Sequence, residues 1–172
     1  MNELSEFRAM KDEMFRESDQ SPLTDGQKEH FKGLHYYPEN PDLVFKVKVE
    51  QFLEKQTITM LTSTNASQTY LRYGRIKMEV DGQPIELTIY ASDHGYFLPF
   101  VDALTGVETY GAGRYLDPHP TGEGVFLIDF NYAYNPYCAY NERWSCPLTP
   151  AENRVNAAIR AGEKVFYVDH DE

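Results

Sequence analysis

The sequence predicts a mainly β domain, an antiparallel barrel or sandwich of about seven to eight strands with an N-terminal helix and a short C-terminal helical turn. Three observations carry that prediction. Apolar and polar residues alternate with a period of two in several stretches after position 43, which sorts side chains between two faces. Aromatic residues make up 14% of the chain, including 13 Tyr and 10 Phe, and rings pack well on a pleated surface. Short turns rather than helical crossovers separate the strand-like stretches, which argues against a βαβ arrangement.

The elements follow in order. Over residues 3–17, Leu4, Phe7, Met10 and Met14 fall at steps of three and four and form one apolar stripe of a helix, with Asn2 as its N-cap. Pro22, Pro38 and Pro41 make residues 18–42 irregular. Within them Asp25 is placed to cap one short turn ending near Phe31, and Phe31, Tyr36 and Tyr37 fold the segment over a core edge. In 43–53 the odd positions Leu43, Phe45, Val47 and Val49 face inward, and 56–64 is a second strand. A hairpin follows: Ile76, Met78 and Val80 lead into the turn Asp81-Gly82, and Ile85, Leu87, Ile89 and Ala91 return on the same face. Residues 95–102 form a strand that Pro99 marks as an edge or a bulge, 107–117 is extended, 118–124 is a surface turn, and 125–134 is the longest apolar strand.

The chain end admits two readings. Thr149-Pro150-Ala151-Glu152 has the spacing of a capping box, with Val155, Ala158 and Ile159 as a helical stripe and Gly162 as its stop. Alternatively a single turn at 150–154 leads into extended backbone over 156–161. Residues 164–168 read as a last strand, and 169–172 as an acidic tail. The whole is one domain, a covering segment over 1–42 and a β-rich body over 43–172.

Net charge is −11, which disfavours a nucleic-acid backbone or an anionic membrane surface as partner. The Glu- and Asp-rich polar face of the first helix argues the same way. No run approaches the length of a membrane span, and the charged N-terminus has no signal-peptide core. A cytoplasmic protein is therefore expected; export or a lipid anchor would require a leader ahead of this sequence. No oligomeric state and no cofactor is assigned.

Candidate site residues concentrate late in the chain. In 125–135 the even positions Phe126, Ile128, Phe130, Tyr132 and Tyr134 form an aromatic stripe, while Asp129, Asn131 and Asn135 turn the other face polar. That polar face is either solvated or lines a cavity. Glu108, Arg114, Asp117 and Asp129 are the members of a candidate buried charge network, a structural feature more often than a catalytic one. The ligand-binding set is thus Glu108, Arg114, Asp129, Asn131, Tyr134 and Asn135. Cys138 and Cys146 fit a disulfide, two structural thiols, or a reactive or metal-binding role. Neither His94 nor His119 shows ligand spacing, so no metal site is assigned.

Five phrases recur together and in order: SPL at 21–23, FKGLHYY at 31–37, TGVETYGAGRYLD at 105–117, DFNYAYNPYCAY at 129–140 and CPLTPAENR through AIRAGEK at 146–164. With them the chain resembles, over nearly its whole length, the bacterial and archaeal domain-of-unknown-function family 1684. The resemblance implies one β-rich domain and no established activity. Relatives often carry proline in the stretch matching Val155–Ala158, which favours the turn-then-extended reading. Three function classes remain: a small-molecule-binding β-barrel; an enzyme, a hydrolase or flavin-binding barrel using Glu108, Arg114, Asp129 and Asn135; or an envelope structural or partner-binding module.

Overall fold

The computed structural model describes residues 2–167. Two antiparallel sheets face each other across one core. The smaller has the order β1-β9-β8, with β1 at Val44–Lys48, β8 at His119–Gly122 and β9 at Val125–Asp129. The larger has the order β2-β4-β5-β6-β7, with β3 also on β4. Its strands are β2 (Glu50–Gln51), β3 (Thr57–Leu61), β4 (Ser67–Val80), β5 (Gln83–Ser92), β6 (Gly95–Phe100) and β7 (Arg114–Leu116). The sheets do not close on themselves, so the fold is the sandwich and not the barrel.

The foreseen hairpin is the spine of the larger sheet. Val80 pairs with Gln83, and Asp81 and Gly82 both take positive φ, 53° and 75°, as a two-residue turn matched to strand twist requires. Ile76, Leu87 and Ile89 are essentially inaccessible and meet Phe126, Ile128 and Phe130 of the opposite layer. A Cβ at Gly82 meets no atom, so Gly82→Ala isolates the backbone penalty; an expected loss of about 1 kcal/mol is readable as a shifted denaturant midpoint at constant m.

The single strand expected over 43–53 is two. The chain changes sheets at Val49, whose side chain packs where a Cβ on Gly74 would sit, 2.5 Å away. Gly74 lies at a register shift in β4, so a missing side chain and a bulge together make the corner.

Helix α1 (Glu3–Glu17) starts at Asn2, whose side chain accepts from the Ser5 N–H at 2.9 Å. The apolar stripe finds the helix but not its docking face. Leu4 and Phe15 are buried, whereas Phe7 and Met10 are 40% and 69% exposed. Polar side chains face the body instead: Arg8 donates to the Tyr37 carbonyl at 3.0 Å, and Asp12 accepts from the Leu34 N–H at 3.0 Å. Helix α2 (Asp25–His30) is capped by Thr24 in a box with Gln27, not by Asp25, because the Thr24 hydroxyl reaches the Gln27 N–H.

Three later expectations shift. Residues 107–113 are turns rather than strand, since the Leu104 carbonyl collects the N–H groups of Val107, Glu108 and Thr109. The expected turn at 118–124 contains β8, which pairs with β9 through the tight turn Glu123-Gly124. The long strand stops at Asp129, whose carboxylate accepts the Asn131 N–H and bends Phe130–Tyr132 into a 3-10 turn.

At the chain end the capping box does not form. Only Ala151–Asn153 is helical, and Glu152 bonds Arg72 instead. Asn153, fully buried, is inserted between β5 and β6: its side chain bonds the Thr88 N–H, the Thr88 carbonyl and the Pro99 carbonyl. That explains Pro99 inside a paired strand, since beyond Phe97 the neighbour of β6 on this side is Asn153 rather than β5. The chain then runs extended beside Val101 and Ala103. No strand forms over 164–167; Lys164 donates one backbone bond to His35. Val168 and the acidic tail lie outside the described residues.

Candidate functional site

β7 ends at Leu116, and the segment Asp117-Pro118-His119 then crosses the surface as a ridge with a groove on each side. The ridge is braced by Tyr134, whose hydroxyl donates to Asp117 at 2.9 Å. Tyr134 is itself fixed by a backbone pair with Tyr115, at 2.8 and 2.9 Å. Burial and then the Asp117 carboxylate push the Tyr134 phenol up, so it stays a neutral donor.

The first groove has a volume of about 730 Å3 and is walled by Tyr70, Tyr96, Phe97, Tyr115, Tyr134, Tyr137 and Trp144. Its rings are locked by edge contacts: Phe97 on Tyr115 at 4.7 Å and Tyr137 on Trp144 at 5.2 Å. His94, from the β5–β6 turn, and His119, from β8, also line the groove, as do Ser145 and Cys146. The segment 144–148 is held there by the 61–64 turn: the Ser63 N–H donates to the Cys146 carbonyl at 2.9 Å, and the Ser145 hydroxyl to Thr62 at 2.6 Å.

The second groove, of about 900 Å3, lies between α1 and the ridge. Phe7, Met10 and Met14 form its outer wall, which accounts for the exposed stripe of the helix, and Asp129, Tyr132 and Tyr134 form its inner wall. Lys11 stands at its floor, 5.2 Å from the Tyr134 ring and 2.8 Å from the buried Glu163 carboxylate.

Of the six residues proposed from the sequence, the fold brings Tyr134 and Asp129 to a groove. The other four line neither. Arg114 is fully buried and donates to the carbonyls of Ile159, Ala161 and Glu163, with Asp102 beside it at 3.4 Å. The charge network therefore runs to Asp102, a residue the sequence did not single out, rather than to Glu108, Asp117 or Asp129. Glu108 accepts the Tyr37 hydroxyl at 2.7 Å. Asn131 clamps the Asn40 backbone with both ends of its amide, at 2.8 and 3.0 Å, and the Asn135 amide donates to the Lys164 carbonyl at 3.0 Å. Of the polar face of 129–135, Asp129 reaches a groove wall, while Asn131 and Asn135 are buried and staple neighbouring backbone.

Cys138 and Cys146 are free thiols, both buried. The Cys138 N–H donates to the Cys146 sulfur at 3.3 Å, and the Tyr110 hydroxyl lies 3.5 Å from the Cys138 sulfur. Hydrogen bonding from Cys146, and then from Tyr110 and Ser63, brings the Cys138 thiol down to about 6 against the opposing effect of burial, while its partner is pushed up. Sequence spacing could not bring His94, His119, Trp144 and Cys146 together, since their only common signal is the fold. Among the described residues no three His, Cys, Asp or Glu side chains cluster as a metal shell would need, and no helix is long and apolar enough to cross a membrane.

No curated protein matches the chain. Its fold is similar to the solution NMR structure of an uncharacterized protein from gene locus rrnAC0354 of Haloarcula marismortui, at 34% identity and a TM-score of 0.71, over 94% of this chain and 91% of that one. A single family model, described as a protein of unknown function, spans residues 29–164 and takes in both the ridge and the thiol pair; the chain belongs to that family, DUF1684.

Proposed function

We propose that this protein binds a small molecule with a flat, apolar body in the groove walled by Tyr96, Tyr134, Tyr137 and Trp144. The observation that carries this reading is the convergence of rings from four separate chain segments on one concave space of about 730 Å3. That volume is within the usual range for small-molecule sites, and such sites pair apolar walls with a few polar groups. Here His94, His119 and Ser145 are those groups. The rings are packed against one another before any ligand arrives, which lowers the ordering cost of binding.

Trp144 is the chain's single tryptophan and lies on the groove, so its emission reports occupancy. N-phenyl-1-naphthylamine, a neutral aromatic probe, is expected to quench Trp144 saturably by energy transfer. Tyr134→Leu, which removes ring and hydroxyl but keeps apolar bulk, is expected to weaken binding about tenfold, the worth of one aromatic contact. Unchanged affinity in Tyr134→Leu, or no saturable quenching in the wild-type chain, overturns the reading.

A further inference from the structure

We propose that Cys138 and Cys146 are a reversible dithiol–disulfide couple at the edge of the aromatic groove, with hydrogen peroxide as its oxidant. The couple stands on its own geometry and holds whether or not the groove takes a small molecule.

Four observations place the two sulfurs for this chemistry. The Cys138 N–H already reaches the Cys146 sulfur at 3.3 Å, so that sulfur lies within a side-chain length of residue 138. Both thiols are free and buried. The intervening chain consists of a 3-10 turn at Tyr137–Ala139 and irregular turns after it, so a small movement disturbs no strand pairing of its own. Cys146 lines the groove, which puts the couple at the groove's edge, while the Tyr110 hydroxyl lies 3.5 Å from the Cys138 sulfur.

The chemistry balances as follows. The Cys138 thiolate attacks one peroxide oxygen; an S–O bond forms, the O–O bond breaks, and hydroxide leaves to become water. The Cys146 sulfur then attacks the sulfenic sulfur of Cys138; an S–S bond forms, the S–O bond breaks, and the oxygen leaves as a second water with the Cys146 proton. Two sulfur electrons have reduced one peroxide, and an external dithiol reverses the change. The hydrogen bonds donated to Cys138 favour the first step, because only the thiolate is nucleophilic. The short reach to Cys146 favours the second over further oxidation.

The test treats the full chain with stoichiometric hydrogen peroxide, blocks residual thiols with iodoacetamide, and reads the products by mass spectrometry. Wild type is expected to lose two hydrogens, to contain a Cys138–Cys146 linked peptide, and to recover both thiols on dithiothreitol. Cys146→Ser should stop at a sulfenic acid on Cys138 that dimedone captures. The pH profile of iodoacetamide alkylation at Cys138 should have its midpoint near 6, and Cys146→Ala, which removes a hydrogen-bond donor, should move that midpoint upward. Two alkylated thiols after peroxide overturn the couple, as does sulfinic acid on Cys138 without a cross-link in wild type. A midpoint at the ordinary thiol value in wild type overturns the assigned role of Cys138 as attacking sulfur.

Discussion

Replacing Arg114 with alanine should cost about 3–5 kcal/mol and lower Tm by on the order of 10 °C, the range for removing one partner of a buried pair in a chain of this size. The guanidinium is fully buried, and its two terminal nitrogens are committed to three main-chain carbonyls of the segment 159–163 and to Asp102, while Nε has no partner among the described residues. Asp102 in turn accepts the Ile159 N–H at 2.8 Å, so both partners pin the same returning chain. Truncating Arg114 leaves a buried carboxylate without its cation and carbonyls without donors, and it also opens a cavity beside Phe100, over whose ring the guanidinium sits at 5.1 Å. Asp102→Asn should be comparably harmful, and the double variant should lose much less than the sum, because the second change removes the group the first left stranded. Probe quenching at Trp144 should survive in whatever fraction remains folded. If Arg114→Ala melts like the wild type but no longer binds the probe, Arg114 is a ligand residue and the structural account fails.

That expectation reverses the weight the sequence gives Arg114, and the reversal shows where legibility ends. Elements set by neighbours in sequence were readable: α1 from its stripe and Asn2, and the β4–β5 hairpin from alternation and Asp81-Gly82. The sandwich class followed from the same alternation. Elements decided by distant partners were not. The capping-box residues at 149–152 have the right local chemistry, yet Arg72 takes Glu152 and Asn153 is drawn between two strands. Asp129 ends β9 through a bond to the backbone two residues on, which a period-two count does not register.

The candidate site divides in the same way. Parity singles out Tyr134 and Asp129 on opposite faces of one strand, yet the 3-10 turn after Asp129 breaks that parity and brings both to one groove wall. The asparagines beside them looked like site residues because short amides suit ligands, and they suit backbone equally well: Asn131 binds both polar groups of Asn40. His94, His119 and Trp144 are scattered along the chain, and only the ordering of β5, β6 and β8 brings them to one groove.

Lys11→Met is expected to produce the second large loss, about 3 kcal/mol, concentrated in the N-terminal segment. Lys11 reaches from α1 to a buried anion of the C-terminal stretch: its ammonium forms an ion pair at 2.8 Å with Glu163, whose side chain is 1% exposed. The other carboxylate oxygen accepts the Tyr140 hydroxyl at 2.7 Å and the Asn135 N–H at 2.5 Å, so Glu163 cannot turn toward water without stranding both. Methionine keeps an unbranched apolar side chain of similar length but removes the ammonium that sits over the Phe15 and Tyr134 rings and leaves the anion unpaired. Because Phe15, Leu23, Phe31 and Tyr140 form a small core of their own, the damage should be local. Hydrogen exchange should accelerate first over Glu3–Glu17 and 159–163, with the β4–β5 hairpin protected until global unfolding. Adding Glu163→Gln to Lys11→Met should restore part of the loss, since a neutral amide needs no cation and can still accept from Tyr140 and Asn135. A uniform rise in exchange across the whole chain, or a double variant weaker than either single one, would show that the Lys11–Glu163 pair is not what holds α1 to the sandwich.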